Sequence, residues 1–333
     1  MMSSPTPRLR WGILGAAKIN QRLVPAFQKS ATADLRAIAS RSDDKAKQAA
    51  AEAGIARGVG SYEALLEDPD IDAIYIPLPN HLHAEWTRKA ADAGKHILCE
   101  KPLCPDAADA AALIAYCRAK NVRLMDGFMW PHHPRTAKIR QMLDAGAIGK
   151  VQRVNTAFTF NLNPLNDSNI RMHRNMGGGA LLDVGCYCVY GIRWAFQAEP
   201  VKVYAEAKLL NDVDVSLSAM LWFADGRTAF LDTGFVSPLR GWLEIVGESG
   251  TIHIPDLWLP SADAAFTLTS DEQPAQTITV PGHDQIVCML DDFAAAVHEQ
   301  REAWPNPDEA VKSLKVLNAI DRSARSGQIE FVN

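Results

Sequence analysis

Leu9-Arg10-Trp11-Gly12-Ile13-Leu14-Gly15-Ala16-Ala17-Lys18-Ile19-Asn20 decides the fold. Its first half reads as a strand, and its second half as a turn entering a helix over 22–28. In open α/β sheets this first strand–turn–helix is where a dinucleotide's pyrophosphate sits. Glycines there permit the tight turn, the close approach of backbone to phosphate and the close packing of helix on strand. Only Gly15 of the three glycine places survives here, with Ala17 and Asn20 in the other two. An alanine still admits a phosphate to the free N–H groups of the helix start. Gly15, Ala16, Ala17, Lys18 and Ile19 are therefore the expected phosphate-binding turn.

Working outward, the next strand (34–39) ends in Ser40-Arg41-Ser42, where an NAD-binding unit carries an acid for the ribose hydroxyls. A serine and an arginine instead predict NADP in preference to NAD. Arg41 suits a 2′-phosphate and an adenine face, and Ser40 adds a hydrogen bond. The alternative is an exposed arginine opening a loop. An alanine-rich helix (42–54, with Asp43 and Asp44 in its first turn) and a short helix (62–67) follow. Next come a strand (71–76), the rigid exit Pro77-Leu78-Pro79-Asn80-His81-Leu82-His83, and a helix (84–93). The buried strand His96-Ile97-Leu98-Cys99 then runs into Glu100-Lys101-Pro102. A lysine at the carboxyl end of a parallel strand points at the ligand crevice, and the proline biases its backbone towards an extended form. The alternative is a surface lysine at a strand end. A helix (106–120) and a strand (122–130) complete an alternating β/α series, which implies a doubly wound parallel sheet over residues 1–130.

Past Pro131 the texture changes. A helix (135–145) and a β-rich run (151–161) lead to a polar loop with Arg171, His173 and Arg174, then to Gly177-Gly178-Gly179-Ala180-Leu181-Leu182-Asp183-Val184-Gly185-Cys186-Tyr187. Strands over 201–209, 215–223, 228–235, 241–246, 251–254 and 266–280, joined by short turns such as 224–227, predict a mostly antiparallel open sheet. Helices over 284–299 and 307–326 close a second α+β domain, 131–333. Asp183 and Tyr187 are four apart and share one helix face. The alternative for Tyr187 is a half-buried phenol bonded to a neighbour. Gly185 inside that helix costs about 1 kcal/mol relative to alanine, which predicts something packed close against it.

The length of 333 residues accommodates about two domains. Hydrophobic content of 47% with 22% charged residues is that of a soluble globular chain. A net charge of -5 gives no reason to expect nucleic acid or an anionic membrane as partner. The amino terminus has no apolar run before the first strand, so neither a signal peptide nor an anchor is expected, and no run approaches the ~18 residues of a membrane span. Six scattered cysteines suit a reducing cytoplasm rather than a disulfide framework. His81/His83, His132/His133 and Cys186/Cys188 match no zinc spacing, so no metal is expected. Cys99 and Cys104 are expected as packing residues, as are Trp11 and Trp86.

With both halves in view, the chain resembles the glucose–fructose oxidoreductase/inositol dehydrogenase/MocA family from about Leu9 to Gln328. The resemblance rests on GILGAAKI (12–19), SRSDDKA (40–46), YIPLPNHLHAEW (75–86), KHILCEKPL (95–103) and GGGALLDVGCY (177–187). It implies an oxidoreductase with a Rossmann domain and a C-terminal domain whose open sheet forms a homodimer or tetramer. It places the motif lysine at Lys101 and the acid/base at Tyr187, with Asp183 orienting the substrate or the lysine. Tyrosine at that place is similar to the branch with dimeric dihydrodiol dehydrogenase, xylose dehydrogenases, aldose–aldose oxidoreductase and a sugar 3-ketoreductase. Lys45, Pro77, Leu78, Asn80, His83 and Glu100 are expected around the cofactor, and Trp130, Arg171 and Arg174 around a sugar or polyol. Hydride transfer needs a proton moved at the substrate oxygen, and a phenol beside a lysine ammonium suits that task. The leading expectation is an NADP-dependent sugar dehydrogenase. A keto-sugar or dihydrodiol-type reductase is the alternative, and the family's non-catalytic dinucleotide sensors are a second.

Overall fold

Six short strands, β1 (Leu9–Leu14), β2 (Ala33–Ala39), β3 (Arg57–Val59), β4 (Ala73–Ile76), β5 (His96–Cys99) and β6 (Leu124–Asp126), pair in parallel in the order β3-β2-β1-β4-β5-β6. The computed structural model describes residues 8–261, 263–270 and 274–332. The strand order reverses between β1 and β4, the switch point at whose carboxyl ends open sheets take ligands. Helices α1 (Asn20–Lys29), α2 (Asp43–Ala53), α3 (Tyr62–Leu66), α4 (His83–Asp92) and α5 (Ala107–Ala119) make the crossovers. All of β4, and β5 after its first residue, is buried, as expected for strands covered on both faces.

This first compact unit holds the described residues through Cys104, Ala108–Phe128 and Asp284–Glu309. The chain thus leaves it two residues before the expected cut at 130 and comes back after β15, with only β16 of the second sheet still to follow. The returning helix, α8 (Gln285–His298), gives the reason. Its Phe293 lies 5.2 Å from Trp11, which also meets Phe27 edge-on at 5.2 Å. Asp291 accepts hydrogen bonds from the hydroxyls of Ser30 (2.8 Å) and Thr32 (2.5 Å). Amphipathic spacing told that α8 buries a face, not which sheet receives it.

The second unit holds Pro105–Ala107, Met129–His283 and the chain from Ala310. After α6 (Pro134–Asp144), its strands are β7 (Val151–Asn161), β8 (Pro200–Leu210), β9 (Val213–Phe223), β10 (Thr228–Gly234), β11 (Val236–Arg240), β12 (Leu243–Gly247), β13 (Gly250–Ile254), β14 (Asp263–Ser270), β15 (Gln276–Pro281) and β16 (Glu330–Phe331). They run in the order β15-β14-β13-β12-β7-β10-β9-β8-β16, with β11 also on β7. Pairing is antiparallel except between β7 and β10. Helix α7 (Cys186–Phe196) packs on β7, β10 and β12, while α9 (Asp308–Ser326) ends the helical series. The core between α7 and the sheet includes Val154, Ala157, Val189, Ile192 and Leu243.

The short strands β3, β11 and β16 were not legible in the sequence. The single strand expected over 266–280 is two, β14 and β15, with 271–273 outside the described residues. The expectation of no signal or anchor at residues 1–7 also lies outside them. No helix among the described residues is long and apolar enough to cross a membrane.

Candidate functional site

In the first unit the turn after β1 is built on Gly15, whose φ of +130° suits glycine alone. A Cβ there would press on Leu78 at 3.0 Å and stand 3.7 Å from the Tyr62 hydroxyl. Asn20, a departure from the glycine pattern, has a purpose: its buried amide donates to the Gly15 carbonyl at 2.8 Å and ties the turn to the start of α1. Ala16 is exposed, and Ala17 and Ile19 half-buried. Around this bend Lys18, Arg41 and Lys45 are exposed, and their side chains make no hydrogen bond or ion pair among the described residues. Ser40 is buried at the end of β2. A cradle that a Cβ would fill, ringed by uncommitted cations, fits a dinucleotide with an extra phosphate.

The loop after β4 is held from beneath. His83 is fully buried, with Nδ1 2.9 Å from the Pro102 carbonyl oxygen and Nε2 2.7 Å from that of Leu78. Burial outweighs the pull of those two carbonyls and pushes its pKa down to about 4, so the neutral ring donates to one of them at a time. His83, expected beside the cofactor, is placed where it ties the loop after β4 to the loop carrying Lys101. Pro77 is buried, with Leu78 and Asn80 half-buried beside it.

Lys101 leaves β5 half-buried, and its bond to Pro102 is cis. Two acids share its neighbourhood. Glu100 takes a hydrogen bond from the Tyr75 hydroxyl at 2.7 Å. Asp126, at the end of β6, has its pKa raised to about 7 by burial and by Glu100, with Lys101 pulling the other way. Asp126 is a residue that motif inspection missed; an acid closing a three-residue buried strand was its only signal.

In the second unit the glycine triplet leads not into a plain α-helix but into one wider π turn over Leu181–Gly185, continued by α7. Such turns recur where a side chain must be re-aimed. The Arg171 guanidinium donates from Nε to Asp183 Oδ2 at 2.6 Å. Its cation is strengthened first by Asp183 and also by Tyr187, which places all three within electrostatic reach. The Tyr187 ring meets Phe158 edge-on at 5.2 Å and Trp258 at 5.7 Å, so its direction is set by packing. A Cβ on Gly185 would lie 3.0 Å from Leu181 and 3.4 Å from Thr233, the close packing expected at that glycine.

Two residues expected around the substrate have partners within the second unit. Trp130 is fully buried, with its ring enclosed by Tyr190, Trp194 and Trp258 at 5.2–5.6 Å, so it is a core residue. Arg174 gives its fork to Asp321 on α9, at 2.9 and 3.3 Å, so its charge is committed within the unit. Trp11 and Trp86 are buried, as expected of packing residues. Among the described residues no group of three or more His, Cys, Asp or Glu is arranged to hold a metal.

Comparison with known proteins gives a consistent result. Residues 9–128 match the GFO/IDH/MocA model described as an oxidoreductase family with an NAD-binding Rossmann fold, and residues 136–253 match the model of its C-terminal domain. The D-xylose 1-dehydrogenase (NADP+) 2 of Haloferax volcanii is 37% identical over 324 residues, covering 96% of this chain and 98% of that protein. A 3-ketoreductase from Actinomadura kijaniata, solved with NADP and TDP-benzene, superposes with a TM-score of 0.88 at 33% identity, covering 95% of this chain and 98% of that one. The aldose–aldose oxidoreductase of Caulobacter crescentus, solved with glycerol, gives 0.89 at 28% identity, covering 97% and 99%.

Proposed function

The chain belongs to the GFO/IDH/MocA oxidoreductase family, and on that premise we propose an NADP-dependent enzyme that moves hydride between the nicotinamide and a carbinol carbon of a sugar or related polyol. The leading substrate is an aldose oxidised at its anomeric carbon, including the case in which one retained NADP is cycled between two aldoses. NAD is a weaker substitute. The observation that carries this proposal is the group formed by Tyr187, Asp183 and Arg171: a phenol held by aromatic packing, one helical turn from a carboxylate already matched by a guanidinium.

Bound NADP supplies the two-electron chemistry. Tyr187 Oη takes the proton from the reacting hydroxyl in oxidation and returns it in reduction. The Lys101 ammonium favours the phenolate or bonds the reacting oxygen, and either role lowers the barrier to proton transfer. Asp183 and Arg171 orient neighbouring hydroxyls, for which a carboxylate and a planar fork are suited. Arg41, assisted by Ser40 and Lys45, takes the 2′-phosphate, while Gly15–Ile19 cradles the pyrophosphate. Self-association, as a dimer or tetramer, is assigned to the open face of the ten-stranded sheet, where Tyr204, Met220, Phe230 and Trp242 line a shallow hollow of about 580 Å³.

A second reading, NADPH-dependent reduction of a keto-sugar, is favoured by the likeness to the Actinomadura ketoreductase. The same residues serve it with the proton running the other way. The test is to denature purified protein and look for released nicotinamide absorbance. Aldoses, cyclitols and dihydrodiols are then offered with NADP+, and keto-sugars with NADPH. Turnover of an aldose supports the leading reading, and turnover of ketones alone selects the second. Tight dinucleotide binding with no turnover removes both and leaves a sensor.

A further inference from the structure

Asp214, the second residue of β9, is buried beneath the glycine triplet. Its Oδ2 accepts the Leu181 N–H at 2.6 Å, and the carboxylate also takes the Ala180 N–H. These are donors at the start of a helix, where no i−4 carbonyl is available to them. The triplet is shaped around this contact. Gly179 has φ +105°, and a Cβ on it would collide with Asp214 Oδ1. From the other side Gly179 donates to the Arg171 carbonyl at 2.9 Å, so one glycine joins the Asp214 anchor to the arginine that holds Asp183. Thr233 completes the hold by donating to the Ala180 carbonyl at 3.3 Å.

We propose that Asp214 is a positioning residue: it sets where the π turn begins, and through that the placement of Asp183 and Tyr187. Its effect on turnover rests on the functional reading above, but its effect on the turn does not.

A purely stabilising cap would be a poor use of this acid. Burial pushes its carboxyl up to about 7, against the pull of the backbone N–H groups, and Asp321 on α9 adds to the rise. Of the charged groups that share a cavity of about 190 Å³ with it, Arg174 is already paired with Asp321. A folded pKa above the unfolded one means that the stability from this group is present at low pH and is lost as pH rises through about 7. At alkaline pH the ionised anchor therefore costs stability. That is the pattern of a residue kept for position.

The experiment uses Asp214→Ala and Asp214→Asn in the full chain. Amide exchange by mass spectrometry on the segment 177–190 should be faster by about 10-fold in Asp214→Ala, the scale of one charge-assisted hydrogen bond. Asp214→Asn, which keeps one acceptor, should lie between. Its Tm at pH about 8 should equal or exceed that of the parent, because the cost of burying the charge is gone while one acceptor stays. With a substrate in hand, kcat should fall by about 10-fold in Asp214→Ala while the Kd for NADPH stays within about two-fold. Unchanged exchange at Ala180 and Leu181 overturns the proposal, and so does a lower Tm with unchanged kcat. Should no substrate turn over, the functional reading fails and the exchange and Tm results still decide the anchor.

Discussion

Arg171 reaches twelve residues along the chain to hold Asp183, with Nε 2.6 Å from Oδ2. The arginine side chain is 39% exposed and that of the aspartate 16%, so the pair is partly buried and desolvation offsets part of its attraction. On the proposed function its value lies in fixing a carboxylate one turn from Tyr187. Arg171→Ala and Asp183→Asn should each raise KM for the sugar. A double-mutant cycle on kcat/KM should show coupling of about 1 kcal/mol or more. Strictly additive losses would mean that the two act independently.

Tyr187→Phe removes only the hydroxyl and keeps the ring against Phe158 and Trp258. It should lower kcat by about 100-fold with little change in NADPH affinity, the scale of lost acid/base catalysis. Lys101→Ala should cost a similar factor. Near-normal rates in either variant would take that residue out of the chemistry.

Arg41 carries an uncommitted guanidinium at the end of β2. Arg41→Ala should weaken NADP by about 10-fold or more in a fluorescence titration and leave NAD almost unaffected, since only NADP offers the fork a phosphate. Equal losses for both dinucleotides would sink the 2′-phosphate assignment.

His83 predicts an acid-sensitive loop. Its folded pKa of about 4 lies below its usual 6.5, so the folded chain binds fewer protons than the unfolded one. The stability it contributes is whole above about 6.5 and is lost as pH falls towards about 4, on the order of 3 kcal/mol for a fully buried ring. Thermal melts should show the parent losing Tm over this window more steeply than His83→Gln. Parallel curves would remove the assignment.

Sequence spacing sufficed wherever function follows local geometry. Strand, Gly15 and α1 were legible as a unit, as were Lys101 at a strand end and the shared face of Asp183 and Tyr187. What spacing could not show is which side chains have partners far along the chain. Arg174 reads as a candidate sugar contact for its planar fork, and its bond to Asp321, 147 residues away, leaves no local signal. Trp130 reads as a candidate substrate contact, and its ring partners on α7 and in the segment after β13 could not be read from spacing. His83 opens α4 beside a loop that faces ligands in such folds, but its ring nitrogens face backbone carbonyls, which carry no side-chain signature. Asp214 lies between two buried valines, Val213 and Val215, and an acid in that setting was the one hint that it serves the interior.

The return of α8 to the first sheet has a consequence for synthesis and for engineering. A ribosome must reach Phe293 before Trp11 gains its second aromatic neighbour and before Ser30 and Thr32 find the acid that receives them. A fragment ending at Phe128 carries every strand of the parallel sheet and still lacks part of its own interior. Exchanging dinucleotide-binding halves between relatives therefore takes two grafts, the amino-terminal segment and the 284–309 segment, because a single splice leaves the recipient sheet with another protein's lid.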